Sequence, residues 1–168
     1  MIKIDSCSLI YASKLDLWDT IIEIFDKIGI LDAVYDEVVI KGKIRGKPDA
    51  FIIEKKIKEK IIQIIPPPDK MIEFHLGKGE TETIIEALDE KVQALIDDKK
   101  ALLIGSKIGV QVLNLPLIFL KAYISKKWND TEFDKRIKQW GKITSASMEQ
   151  IYFLNKIRDV IKNDKFNS

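Results

Sequence analysis

Residues 2–13, Ile2-Lys3-Ile4-Asp5-Ser6-Cys7-Ser8-Leu9-Ile10-Tyr11-Ala12-Ser13, decide how the rest of the chain is read. Ile2 to Ile4 predicts a short buried strand ending at Asp5, and the hydroxyl-rich stretch after it can cap a helix with an apolar face. The same unit recurs. Ile61–Ile65, Val92–Ile96 and Val110–Leu113 are short apolar runs without polar alternation, and helical patterns fall between them. Strands of that kind are buried on both faces, which predicts an α/β fold with a central parallel sheet and helices on both sides.

The intervening segments complete the reading. Leu17–Lys27 carries apolar residues at helical spacing and is expected to stop at Gly29, and Leu31–Ile40 is expected to be a further helix. Lys41–Pro48, with two glycines and four basic residues, is expected to be a loop, and Ala50–Lys60 a helix. Pro66-Pro67-Pro68 ends the next strand. A helix begins near Glu80, another spans Lys99–Ile108 and closes at Gly109, and an apolar helix runs from Leu117 to Tyr123. Residues 125–168 read as a lysine-rich helical extension packed on the domain formed by 1–124, fraying from Asn163 to Ser168.

Composition bounds the chemistry. The 168 residues carry 28 Lys plus Arg against 26 Asp plus Glu, a net charge of +2, without the strongly basic signature of a dedicated nucleic-acid coat protein. Only Arg45, Arg136 and Arg158 are arginines. One cysteine (Cys7) and one histidine (His75) exclude a disulfide framework and a Cys/His zinc site, and they leave little room for a Cys-His or Ser-His-Asp hydrolase. Cys7 is expected to be a small buried residue and His75 to lie at the surface. No signal peptide or membrane span is expected, which makes the reducing cytoplasm the default location. Hard chemistry then falls to carboxylates, hydroxyls and lysines, with a bound metal.

In an open parallel sheet, functional groups collect beyond the carboxyl ends of the strands. Asp5 follows one strand directly, Asp97 and Asp98 follow another, and Glu80 opens a helix. Each also has a plain reading as a helix cap or dipole partner. At about 100° per residue Glu80 shares a side with Ile84, Ala87 and Leu88, whereas Glu82 and Glu86 are expected on the solvated side. Carboxylates that converge repel one another, and a hard divalent cation with oxygen ligands resolves the conflict. The basic stretch Lys41, Lys43, Arg45, Lys47 reads either as a solvated loop or as a contact for a nucleic-acid backbone, with Lys43 and Arg45 as candidate substrate-binding residues.

Four motifs in this order resemble PIN domains: KIDSCSLIYASK (residues 3–14), AVYDEVV (33–39), LGKGETETIIEAL (76–88) and ALIDDKKA (94–101). The likeness covers about residues 2–124 and is strongest to a VapC-like toxin subgroup of prokaryotic members. It implies a three-layer α/β/α fold and a metal-dependent endoribonuclease using Mg²⁺ or Mn²⁺. Carried across position by position, it implies catalytic acids at Asp5, Glu37, Glu80 and Asp98. It makes Asp5, Glu80 and Asp98 metal ligands with Asp97 beside them, and it gives Ser6 and Ser8 a role in supporting the metal or the scissile phosphate. The helical pattern does not separate Asp36 from Glu37; the resemblance alone favours Glu37, as it alone favours Asp98 over Asp97. It further implies RNA as substrate, a small antitoxin protein and a second copy of the chain as partners. Asn114-Leu115-Pro116 departs from the glycine- and threonine-rich segment usual after the last strand. Two other readings stand beside this one: a non-catalytic RNA-binding or regulatory PIN-like protein, and a PIN-related DNA nuclease.

Overall fold

The computed structural model describes residues 1–164. Five strands form one sheet: β1 (Ile2–Ile4), β2 (Ile28–Leu31), β3 (Ile62–Ile65), β4 (Gln93–Leu95) and β5 (Val112–Leu113), in the order β3-β2-β1-β4-β5. Every pairing is parallel, with Ile2 opposite Ile28 on one side and Gln93 on the other. The order reverses direction at β1, so Asp5 leaves the sheet at the switch point, where α/β folds bind ligands. The chain divides into two compact units, Met1–Leu115 and Pro116–Ser168.

In the first unit, α1 (Ser6–Lys14) and α2 (Trp18–Phe25) link β1 to β2. A continuous helical run follows, made of α3 (Asp32–Tyr35), a π-helical turn (Asp36–Ile40) and α4 (Lys41–Ile44), before α5 (Pro48–Lys58). Helices α6 (Lys78–Asp89) and α7 (Lys99–Lys107) flank β4. Right-handed crossovers place α6 and α7 on the face opposite α1–α5, because the path turns back across the sheet after β3. The packing agrees: Ile84 and Ala87 of α6, Ala101 of α7, and Ala94 and Ile96 from the sheet form one buried cluster. Gly105 lets α7 close on that cluster, since a Cβ there would lie 2.7 Å from Val112 Cγ2. Gly105→Ala is therefore expected to cost about 1–3 kcal/mol through overpacking, read as a fall in the denaturation midpoint.

Three expectations need correction. Gly29 does not end a helix; it lies inside β2, where Ile65 Cδ1 and Lys3 Cδ pack over the space of its missing side chain. Lys41–Pro48 is not a free loop, because α4 carries the helix through Ile44 and α5 begins at Pro48. Gly42 permits that tight corner by meeting Ala50 Cβ, which a Cβ on Gly42 would approach to 2.9 Å. Nor does α6 have a solvated acidic side. It is packed by α3, α7 and strands β1, β2 and β4, so Glu82 is 1% exposed and Glu86 holds the buried Lys3 ammonium at 3.2 Å.

The second unit follows α8 (Leu115–Ile124) with α9 (Asp130–Thr144) and α10 (Met148–Asp164). Phe119 packs its ring 5.5 Å from Trp128 and 6.2 Å from Trp140, and Tyr123 lies 5.3 Å from Phe133. Arg158 ties α10 to Asp134 of α9 at 2.6 Å. Asn163 and Asp164 continue α10; of the fraying expected from Asn163, residues 165–168 lie outside the described residues. Among the described residues no helix is long and apolar enough to cross a membrane.

Candidate active site

Asp5 is fully buried at the end of β1, where its own N–H donates to the Leu95 carbonyl and so pins it beside the end of β4. Its carboxylate is the N-cap of α1: Oδ1 accepts from the Ser8 N–H at 2.8 Å. Oδ2 has no partner. Burial pushes the Asp5 carboxyl up to about 7; Ser8 pulls it down, and the negative charges of Asp97 and Glu80 push it further up.

Asp97 is the second acid of this group. Oδ1 accepts from the Leu115 N–H at 3.2 Å, and Oδ2 is buried without a partner. Burial raises its carboxyl to about 6, against the lowering effects of Leu115 N–H and Ser8. The fully buried Ser8 hydroxyl therefore sits beside both carboxylates, yet makes no well-formed hydrogen bond to either. A buried polar oxygen without a partner costs roughly 1–3 kcal/mol, and here three occur together.

The other acids join from two sides. Ser6, next to Asp5, donates its hydroxyl to Glu37 Oε2 at 2.6 Å. Glu37 stands in the π-helical turn, a wide turn often found at functional sites. Gly79 of α6 packs against the same pair, with its Cβ position 3.3 Å from Ser6 Oγ and 3.7 Å from Glu37 Oε2. Glu80 is the third residue of α6, and its carboxylate curls back over the N-cap residue Gly77, filling the space a side chain there would need. That fold-back follows the logic of a capping box, and the Glu80 charge adds a little to the rise of the Asp5 carboxyl.

Asp98 stands apart. It is exposed and is the N-cap of α7, with Oδ1 accepting from the Ala101 N–H at 2.8 Å. The inward position of the doubled aspartate thus belongs to Asp97. The two variants should separate cleanly: Asp97→Asn alters the buried pair, whereas Asp98→Asn keeps an equally good cap and is expected to change the denaturation midpoint by less than about 1 kcal/mol. Denaturant titration of both variants at pH 8 checks this.

Lys43 and Arg45 do not behave as one basic loop. The Lys43 ammonium is held by Glu54 at 2.9 Å and lies over the Phe51 ring, while Arg45 is exposed at the end of α4. His75 is exposed as expected. Cys7 is exposed rather than buried, because it lies on the outer side of the first turn of α1. Burial of part of the thiol and the nearby charge of Asp5 raise its pKa, so it is a poor nucleophile.

A sequence profile for a family described as PIN domain matches residues 1–132. The chain belongs to the PIN-domain family. PIN domains are typically nucleases and generally work with divalent metal ions. A solved PilT N-terminus domain protein from the hyperthermophilic archaeon Sulfolobus solfataricus P2 superposes with a TM-score of 0.54 at 16% identity, covering 73% of this chain and 93% of that one. At that identity the likeness speaks for the fold. No curated protein matches the chain.

The acids of this PIN domain suit a hard cation by their chemistry. Two buried carboxylate oxygens lack partners, and both carboxyls resist ionisation until an opposite charge arrives. Among the described residues no three His, Cys, Asp or Glu side chains converge as a ready-made ligand set. Mg²⁺ does not require one, because it is commonly held by one or two carboxylates and keeps several waters.

Proposed function

We propose that this PIN domain is a metal-dependent endoribonuclease that hydrolyses RNA phosphodiester bonds and acts as the toxin of a toxin–antitoxin pair. The observation that carries the reading is the pair of unpartnered, buried oxygens, Asp5 Oδ2 and Asp97 Oδ2, at the switch point of the sheet. Asp5 and Asp97 would hold Mg²⁺ or Mn²⁺, with Glu80 and Glu37 at the rim. Such a cation supplies Lewis acidity toward a phosphate and makes water a better nucleophile at neutral pH.

The chain's own groups have separate tasks. Asp5 and Asp97 provide negative charge that becomes favourable only when a cation is present. Ser8 offers a buried hydroxyl between them, able to donate to whichever carboxylate oxygen carries more charge. Ser6 fixes Glu37 through the 2.6 Å hydrogen bond, so Glu37 enters the rim in one orientation. Glu80, at the start of α6, brings a further carboxylate to the rim from its fold-back over Gly77. Asp98 supports the site indirectly, by fixing where α7 begins. Arg45 is free to meet an RNA backbone, whereas Lys43 must first leave Glu54.

The same reading gives RNA, a small antitoxin protein covering the acidic rim, and a second copy of the chain as partners, in the cytoplasm. The absence of a three-ligand set among the described residues favours one other reading, a PIN-like protein that binds RNA without cleaving it. Incubation of end-labelled RNA and DNA with the full chain, in Mn²⁺, in Mg²⁺ and in EDTA, separates them. Internal cleavage of RNA in either metal, abolished by EDTA, is the expected result. RNA binding without cleavage supports the second reading, and cleavage of DNA alone overturns the choice of substrate.

A further inference from the structure

Helix α10 has two apolar faces, and only one of them is covered. Leu154 is buried, and Ile151 packs over Gly141 of α9, where a Cβ would lie 2.9 Å from Ile151 Cδ1. On the other side Met148, Tyr152, Phe153 and Val160 are 59–81% exposed, where a helix docked on one neighbour ordinarily turns polar residues outward. Glu149 and Lys156 run down the middle of this outer face, within roughly 20° of each other at 100° per residue. Met148 and Tyr152 fall on one side of that line, Phe153 and Val160 on the other. The Lys156 ammonium lies 5.3 Å from the centre of the Tyr152 ring. Charge pairing singles out the same line. Asp130, Glu132, Asp134 and Asp159 of α9 and α10 each hold a cation. Glu149 and Lys156 are exposed and form no ion pair among the described residues. Nor is Glu149 the cap of the helix: Gln150 Oε1 accepts from the Ser147 N–H at 2.9 Å, and Ser147 Oγ accepts from the Gln150 N–H at 3.2 Å.

We propose that the outer face of α10 is a self-complementary interface that takes α10 of a second copy of this chain, running antiparallel. A two-fold axis between residues 152 and 153 sets Glu149 opposite the partner's Lys156, and Lys156 opposite the partner's Glu149. The same axis brings Tyr152 to the partner's Tyr152 and Phe153 to the partner's Phe153, so an aromatic pair closes each side of the charged line. A parallel arrangement would set like charges against each other. The charge pattern therefore fits a second copy, and fixes its direction, where apolar side chains alone would fit any greasy partner. The face is small, so the association is reversible, with a dissociation constant in the micromolar range. It lies beyond residues 1–132, which the family profile matches, and it does not rest on the nuclease reading.

The test is sedimentation velocity of the full chain over a range of about 1–200 µM, for wild type, Glu149→Lys, Lys156→Glu, the double variant Glu149→Lys/Lys156→Glu, and Phe153→Ala. Wild type is expected to pass from monomer to dimer across this range. Each single charge reversal turns two attractions into two repulsions, and is expected to raise the dissociation constant at least about 10-fold. The double variant restores both pairs and is expected to return within about 3-fold of wild type, which sets aside a folding defect. An equimolar mixture of the two single variants is expected to form the heterodimer that neither forms alone. Phe153→Ala is expected to weaken the dimer at least about 10-fold, because the ring enters the interface twice. A wild type that stays monomeric throughout would overturn the proposal and leave the face to a partner of another kind. A dimer indifferent to charge reversal would overturn it by placing the contact elsewhere on the chain, and failure of the double variant to recover would overturn the antiparallel pairing.

Discussion

Asp5→Asn is expected to remove activity and add stability at the same time. On the proposed function Asp5 would hold the cation, and losing it would remove several kcal/mol of transition-state stabilisation, so RNA cleavage is expected to fall on the order of 10³-fold. Asparagine caps a helix as well as aspartate does, so the bond from Ser8 N–H to residue 5 survives. What disappears is the burden of ionising a fully buried carboxyl. With the Asp5 pKa displaced from 3.8 to about 7, that burden is about 4 kcal/mol at pH 8, from roughly 1.36 kcal/mol per unit. The asparagine amide remains imperfectly paired, at a cost of about 1–3 kcal/mol. The net gain of about 1–3 kcal/mol corresponds to a melting midpoint higher by about 2–12 °C for a chain of this size. At pH 4 to 5 folded Asp5 is protonated, and the gain should shrink toward zero. Thermal melts of wild type and Asp5→Asn at pH 4.5 and 8 read the difference.

The second large effect is a reversed pH dependence of the metal-free protein. Asp5 and Asp97 both have raised folded pKa values, about 7 and about 6, against 3.8 for the unfolded chain. Between these limits the folded state binds protons that the unfolded state has released. Stability therefore falls as pH rises from about 4 to about 7, then levels. Most acids in proteins act in the opposite sense. Mn²⁺ added at pH 8 should recover what was lost, by about 2.7 kcal/mol at 100 times its dissociation constant, and should release protons if added near pH 6. Denaturant midpoints across pH 4.5–8 in EDTA and in Mn²⁺ measure both. In Asp5→Asn/Asp97→Asn the fall with pH and the metal response should both vanish.

How far the sequence reaches depends on what each residue answers to. Asp5 is legible because an apolar triplet and a run of capping hydroxyls define the strand end and the helix start around it. Strand β2 is not: Ile28-Gly29-Ile30-Leu31 follows a helix with only Asp26 and Lys27 between, and Gly29 looks like a helix stop. Its true reason is lateral, the approach of Ile65 and Lys3, which no local pattern encodes. Asp97 and Asp98 are adjacent acids after one strand, and their division of labour turns on where α7 begins. The bond from Ala101 N–H makes Asp98 the cap and leaves Asp97 facing inward. Glu82 defeats the amphipathic rule because α6 is packed nearly all round, so a carboxylate at a nominally outer position is buried. The basic stretch at 41–47 looks like a loop through its glycines, yet Gly42 serves a close helix–helix contact. Local patterns revealed the rim; contacts distant in sequence decided which acids face each other across it.

The roles of Asp5 and Asp97 are read out by cleavage of single-stranded RNA by wild type and by Asp5→Asn/Asp97→Asn, each in Mn²⁺ and in EDTA, with folding of both verified by circular dichroism. Wild type should cut internally in Mn²⁺ and not in EDTA, and the folded double variant should be inactive in both. Metal-dependent cleavage that persists in the double variant would contradict the assignment of Asp5 and Asp97 as the catalytic centre.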